Sequence, residues 1–495
     1  MSTNATNFRT ALLAISAFAV CSIAAGVRSR GFIESDGATH FIFARHAFEQ
    51  PIYFVDIWGR PLCTALFALP ARFGGLPAVR ITSMVAAIGC GLIAAAIARG
   101  QGFGCPVLAL IFTLGQPLLF LHSFSEMTEL PFAVVIGLAF LGYQRRRWWL
   151  LAIFAAIAPL GRPEGFVFLL LSAVALVGHR KWLAAAILPV GMIVWSVAGH
   201  LLIGPENRPW WNWLIDHWPY ESASAYPRGW MLYFVGVLPM VVGPFALPAM
   251  WIGMWRSFAS GWPLARLKEH RARVDWLMAG IPLAILVGHS LLHWLGKLSS
   301  SGAPRYLLIV APLWGCLAAR GWDWVFSRMK WPRLISWAAL AVVVPGLVNF
   351  CWRVLPVKPT ESWEKAGQIV QWYQHSEVGQ DFPRIMSNHP GVFFYLNASP
   401  WDRRRVEPWS PEAIDHPPAG VLLVWDPEFC ARNSDPKLVA GLDRLEQAGG
   451  IDDPKAEWGS GVNGGEAWPV GASEGSTNVW HIFLGEPAVL RTAAK

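Results

Sequence analysis

Residues 182–203 read WLAAAILPVGMIVWSVAGHLLI. The stretch contains no Asp, Glu, Lys or Arg, and its apolar side chains fall on every side of a helix rather than along one stripe. A bilayer core is ~30 Å thick and a helix rises ~1.5 Å per residue, so about twenty such residues are what a spanning helix needs. Reading outward finds ten more apolar segments, at 11–27, 77–98, 105–121, 130–143, 148–160, 165–178, 230–255, 276–295, 306–319 and 334–351, of which 230–255 and 276–295 also reach that length. The first is better read as an uncleaved span than as a signal peptide, given the ten behind it. The expected fold is an all-α polytopic membrane domain of about eleven transmembrane helices over residues 1–355. A small α/β soluble domain over 356–495 is expected to follow it.

Composition agrees with that class. Apolar residues make up 54% of the chain and charged residues only 15%, against roughly 25% charged in soluble domains. Mean hydropathy is +0.39, and the 29 Trp suit a chain with many membrane interfaces. The net charge of +8 divides unevenly. Residues 358–495 hold 12 basic and 19 acidic side chains, which leaves 28 basic and 13 acidic in the first 357. A basic excess confined to the membrane part is an orientation signal, and it excludes a nucleic-acid footprint. Five of the seven cysteines lie in or beside apolar segments with no CxxC spacing, which argues against a disulfide framework or a zinc site.

The basic clusters at Arg145–Arg147, at 179–181, at 256–273 and at 320–333 belong on the cytoplasmic side. Alternating the segments from a cytoplasmic N-terminus places all of them there and puts the tail outside. Segments 148–160 and 165–178 are short, but both flanks are basic. They therefore read as a short hairpin with Arg162-Pro163-Glu164-Gly165 at its outer tip. Ten of the thirteen acids of the membrane part then face outward, which points to chemistry at the outer surface. In the tail, 391–396, 420–425 and 479–484 read as strands, and helices are expected near 361–375 and 437–448.

Several residues in the outer loops could carry that chemistry. The first loop, roughly 28–76, is too long for a connector. Glu34 and Asp36 open it and are followed by Phe41, Ala44 and Phe48 at helical spacing, a pattern for a short helix lying in the interface with its apolar face down. A carboxylate held there suits a lipid-borne substrate; equally, the two acids cap the helix. Asp56 and Arg60 add a further acid and a cation. Glu126 and Glu129, three residues apart at a helix start, either face one direction together or offset the helix dipole. Arg162 is a cation near membrane depth or one half of an Arg162–Glu164 pair. Lys297 and Arg305 precede a span and would meet a phosphate or snorkel to headgroups.

Together, DGATHFIFARHAFE (36–49), WGRPLCTALFALPARFGG (58–75), RPEG (162–165) and APRYLL (303–308) resemble, in this order, the C-type glycosyltransferase superfamily. They are most similar to the branch of protein O-mannosyltransferases and lipid A aminoarabinose transferases. The resemblance covers roughly residues 8–355. It implies a hexosyltransferase-type enzyme that moves one sugar from a polyprenyl-phosphate donor to an acceptor glycan, lipid or protein at the outer face of the cytoplasmic membrane. It carries the family's first-loop acid onto Asp36, with Glu34 beside it. Some relatives bind a divalent metal through that acid and a second-loop acid, here Glu126 or Glu129, although the motif is Glu-Met-Thr-Glu rather than Asp-x-Asp/Glu. The donor phosphate would fall to Arg162, Arg305, Lys297 and Arg60. A transporter or lipid flippase is the rival class, but no internal repeat is present and the acids sit in loops rather than at the midplane.

Overall fold

In the computed structural model the apolar segments are helices. The residues described are 3–204, 209–213, 226–298, 300–326, 332–375, 382–402, 404–408, 420–426, 429, 467–470 and 480–484. Among the described residues, four helices are long and apolar enough to cross a membrane: Phe8–Arg28, Pro61–Gly100, Trp182–Ile203 and His270–Leu295. Four shorter apolar helices accompany them, at Glu129–Gln144, Trp148–Gly161, Gly165–Gly178 and Ser336–Cys351. Large apolar side chains such as Leu13, Val20, Leu170 and Leu201 are exposed along these helices. Water would not tolerate such continuous faces; lipid does. The chain is an integral membrane protein.

Several segments are interrupted where the sequence suggested continuity. Residues 105–121 divide into Val107–Leu114 and Pro117–His122, because Pro117 lacks the N–H that would continue the ladder. The 230–255 stretch divides into Tyr233–Gly236, Leu238–Val242 and Leu247–Ser260. The PRYLL stretch is a 3-10 turn, Pro304–Val310, leading into Ala311–Phe326. The first outer loop is shorter than expected. A helix begins at Pro61 and runs 40 residues to Gly100, broken at Gly75 between Pro70 and Pro77. Forty residues would reach about 60 Å, twice the bilayer core. The break separates the expected span, 77–98, from a preceding helix whose Leu66, Leu69 and Phe73 are exposed.

The chain divides into two compact units: Met1–Ile33 with Ala47–Val357, and Glu34–His46 with Lys358–Lys495. The first is the helical membrane unit, with Ile97, Leu108, Phe112, Phe132 and Trp314 among its fully buried side chains. Trp148–Gly161 and Gly165–Gly178 pack against each other as the expected hairpin.

Among its described residues the second unit carries a five-stranded sheet. Its strands are β1 (Arg384–Met386), β2 (Val406–Glu407), β3 (Val421–Trp425), β4 (Ala467–Val470) and β5 (Trp480–Leu484), in the order β2-β1-β3-β5-β4. β1 runs parallel to β2 and β3, whereas β5 is antiparallel to β3 and β4, with Leu423 opposite Phe483 and Trp468 opposite Ile482. Strands at 420–425 and 479–484 and a helix at Glu361–His375 match the sequence reading. The stretch 391–396 does not: Pro390–Leu396 is a helix. Pro390 stands in its first turn, and the His389 ring accepts from the Gly391 N–H at 3.0 Å, so a cap overrides the strand propensity of GVFFYL. The helix expected at 437–448 lies outside the described residues.

The acid-led helix of the first loop exists, as Ser35–His46, but it belongs to the second unit. Phe41 and Ala44 are buried, and Phe41 meets Phe394 edge-on at 5.8 Å. The Arg45 side chain donates to Asn397 of the same unit. The apolar stripe read as facing lipid therefore faces protein, and only Phe48, beyond the helix end, is half exposed.

Candidate active site

The membrane unit brings together charged groups from four distant parts of the chain. Glu129 opens the helix Glu129–Gln144 and is fully buried. Arg162 follows the helix Trp148–Gly161 in an extended conformation (φ −165°, ψ 156°), the backbone favoured before a proline. Glu164 caps the next helix, and Gly165 closes the hairpin so tightly that a Cβ would stand 2.3 Å from the Ala158 carbonyl carbon and oxygen. The four residues RPEG thus form a turn that only glycine can complete, with its arginine turned inward. Arg305 enters from the 3-10 turn and is also buried.

These side chains form one network. Arg162 Nη1 donates to Glu129 Oε1 at 2.7 Å and to Thr128 Oγ1 at 3.2 Å. Its Nε and Nη2 donate to Glu164 Oε2 and Oε1 at 3.2 and 3.1 Å. Arg305 Nε donates to the same Glu129 Oε1 at 3.1 Å. His289 Nε2 lies 3.4 Å from Glu164 Oε1, and its ring stacks on Tyr306 at 5.1 Å. Both guanidinium carbons sit 5.5 Å from the Tyr306 ring centroid. Burial alone would raise the Glu164 carboxyl, but the Arg162 guanidinium and the His289 imidazole outweigh it and hold it well below the usual carboxylate range. Two carboxylates against two guanidiniums leave the buried group electrically balanced, as low-dielectric surroundings require.

The other second-loop acid has a separate partner. Arg80 Nε donates to Glu126 Oε1 at 2.8 Å. Its Nη1 reaches the Gly26 and Ser29 carbonyls at 2.9 and 2.7 Å, and its Nη2 the Gly31 carbonyl at 3.0 Å. Beside it lies a cavity of about 280 Å³, lined by Ser22, Ile23, Gly26, Met84 and Phe124. Sequence reasoning passed over Arg80, although a lone arginine just inside an apolar span is itself a signal.

The arrangement of these helices has a known counterpart. The crystal structure of ArnT from Cupriavidus metallidurans in the apo state superposes with a TM-score of 0.65 at 13% identity, covering 97% of this chain and 98% of that one. The crystal structure of the same protein bound to undecaprenyl phosphate superposes with a TM-score of 0.62 at 14% identity, covering 95% and 97%. The chain has the ArnT fold. That is the fold implied by the resemblance to C-type glycosyltransferases. No protein-family profile and no curated protein matches the chain by sequence.

Within this ArnT fold the sequence candidates fall in both units. Glu34 and Asp36 belong to the second. Asp36 lies in the first helical turn, partly exposed, and the Gly37 N–H donates to the Glu34 carbonyl at 3.0 Å. Arg60, Arg162, Lys297, Arg305, Glu126 and Glu129 belong to the membrane unit. Arg162 and Arg305 are brought together on Glu129, and the Arg162–Glu164 pair is present as well. Arg60 caps the long helix in the left-handed region (φ 63°), its Nη1 on the Ile57 carbonyl at 2.8 Å. Lys297 is exposed in the turn after His270–Leu295. The metal candidates Glu126 and Glu129 each carry guanidinium groups, and among the described residues no group of three His, Cys, Asp or Glu is placed to hold a metal ion. With their carboxylates held by guanidiniums, Glu126 and Glu129 do not fit a divalent cation.

Proposed function

We propose that this protein is a glycosyltransferase of the cytoplasmic membrane. It moves a single hexose from a polyprenyl-phosphate carrier to an acceptor at the outer face, and the C-terminal unit lies on that side. The observation that carries the reading is the likeness to ArnT over nearly the whole length of both chains, including the structure bound to undecaprenyl phosphate. The outward orientation is supported by the basic clusters, and the lipid-linked donor by the buried arginines at the head of the outer-face helices.

The chemistry asks little of the protein. Sugar nucleotides are absent outside the cytoplasmic membrane, so the donor is lipid-linked and its anomeric carbon already carries a phosphate leaving group. The acceptor heteroatom attacks that carbon, the bond from carbon to phosphate oxygen breaks on the opposite side, and the anomeric centre inverts. Asp36 takes the acceptor's proton as general base, with Glu34 assisting. Cations steady the charge that grows on the departing phosphate. Arg305 is the leading candidate for that role, with Arg60 and Lys297 supplementary. Arg162 is engaged by carboxylates along its whole fork and supports the site rather than facing the lipid.

The test is transfer of radiolabelled sugar from undecaprenyl-phosphate hexose by the purified full-length protein to extracted cell-envelope acceptors. Label appearing in acceptor, with stoichiometric undecaprenyl phosphate released, supports the reading. Movement of the intact donor across proteoliposomes without cleavage would instead make the protein a flippase.

A further inference from the structure

Two buried guanidinium groups repel each other unless something between them holds a negative charge. Here the group between Arg162 and Arg305 is a single oxygen, Glu129 Oε1, which accepts Nη1 of one and Nε of the other. Glu129 is fully buried and opens a helix whose position is fixed by packing on both sides. Arg162 cannot turn, because its Nε and Nη2 are forked onto Glu164 while Nη1 is on Glu129 and Thr128. Arg305 is held by Glu129 at Nε and by the face of Tyr306, whose hydroxyl is itself fixed 2.8 Å from Ser301 Oγ. Fixing a guanidinium at Nε fixes its plane, and therefore the direction in which its terminal nitrogens point.

We propose that Glu129 is a positioning residue. Braced by Arg162, it aims the Arg305 guanidinium at the phosphate of the lipid-linked donor. The proposal rests on the transferase reading above and adds what the second-loop acid does in it: it organises cations rather than ligating a metal. Electrical balance also has a use in the cycle. Two uncompensated arginines would hold the polyprenyl phosphate product as strongly as the donor, whereas a site already balanced by Glu129 and Glu164 recognises phosphate mainly by geometry and lets it leave.

Geometry and charge are separable by substitution. Glu129→Asp keeps the charge but withdraws the oxygen by one methylene; Glu129→Gln keeps an acceptor oxygen in place but removes the charge. A displacement of about 1 Å costs a positioned group up to about a hundredfold. Glu129→Asp should therefore raise the KM for undecaprenyl-phosphate hexose by about tenfold or more and lower kcat as well, because the misaimed guanidinium would serve neither the bound nor the departing phosphate. Glu129→Gln, which leaves the two guanidiniums without the charge between them, should raise the KM at least as much. In an Arg305→Ala background the Glu129→Asp effect should disappear, because there is no guanidinium left to aim. Arg162→Lys, which keeps the charge and loses the fork, should behave like Glu129→Asp and serves if that variant is too unstable to purify. Additive effects in the Arg305→Ala background, or unchanged kcat and KM in both Glu129 variants, would overturn the positioning role. Wild-type protein that neither binds undecaprenyl phosphate nor transfers sugar would instead overturn the transferase reading, before any variant is compared.

Discussion

Removing the Arg162 side chain should cost this protein stability as well as activity, and the structure says how much. Arg162→Ala deletes four hydrogen bonds, at 2.7, 3.2, 3.2 and 3.1 Å, three of them to carboxylates. Breaking one buried ion pair by removing a partner costs about 3–5 kcal/mol, because the other charge is left without compensation. Here two carboxylates lose a partner, but neither is abandoned. Glu129 keeps Arg305 at 3.1 Å and Glu164 keeps His289 at 3.4 Å. The expected loss is therefore near the lower bound, about 3 kcal/mol. The assay is equilibrium unfolding in mixed micelles of mild detergent and SDS, followed by tryptophan fluorescence. Arg162→Ala with Glu164→Gln should recover part of the loss, since no buried carboxylate at 164 then depends on His289 alone. A single variant within about 1 kcal/mol of wild type, or a double variant no better than the single, would refute the view that these charges are interdependent.

Three further outcomes concern the second unit and the orientation of the chain. Asp36→Asn, which keeps size but cannot take a proton, should lower the transfer rate about 10²–10⁴-fold in protein that still binds donor. Glu34→Gln should be milder, and the reverse order would move the base two residues upstream. In the second unit, burial pulls the His389 imidazole down to about 3 from an ordinary value of 6.5, and its Nδ1 accepts the Gly391 N–H. The folded state thus binds this proton less readily than the unfolded one. Its contribution is complete above pH 6.5 and is lost as pH falls toward 3, by about 2 kcal/mol between pH 6.5 and 5. Hydrogen exchange across 361–396 in the full chain at pH 7 and 5 reads this directly, and protection that does not fall at pH 5 would contradict it. An alkaline phosphatase fusion after Lys495 should be active and fusions after Arg147 or Arg273 silent; a silent C-terminal fusion would reverse the proposed orientation.

The membrane class was legible in the sequence because a long uncharged run must close its own backbone hydrogen bonds inside lipid, and a helix does so without a partner. The RPEG hairpin was legible for a related reason, since two basic flanks demand an even number of crossings. Identifying the partners of its arginine was beyond a single sequence. Glu129 is 33 residues from Arg162 and 176 from Arg305, and nothing local marks them as neighbours. The expected Arg162–Glu164 pair is present, and Arg162 pairs with Glu129 at the same time. The error at 391–396 has a different origin. Six apolar residues suit a strand or a short helix equally, and the deciding signal was the His-Pro pair just before them. The interfacial helix failed most instructively: the spacing of Phe41 and Ala44 correctly announced an apolar face, but periodicity cannot distinguish a lipid partner from a protein one.

That helix has a consequence for how the protein is made. Arg45 and its partner Asn397 are separated by 352 residues. At ribosomal speeds of about 5–20 residues per second, roughly 20–70 s pass between synthesis of the first and of the second. Throughout that interval Ser35–His46, with Asp36 in its first turn, has no sheet unit to dock on and leaves Phe41 and Ala44 uncovered. The residue proposed as the base is thus seated only after the segment around Phe394 and Asn397 has been translated. An unfinished chain would carry the acid without that support.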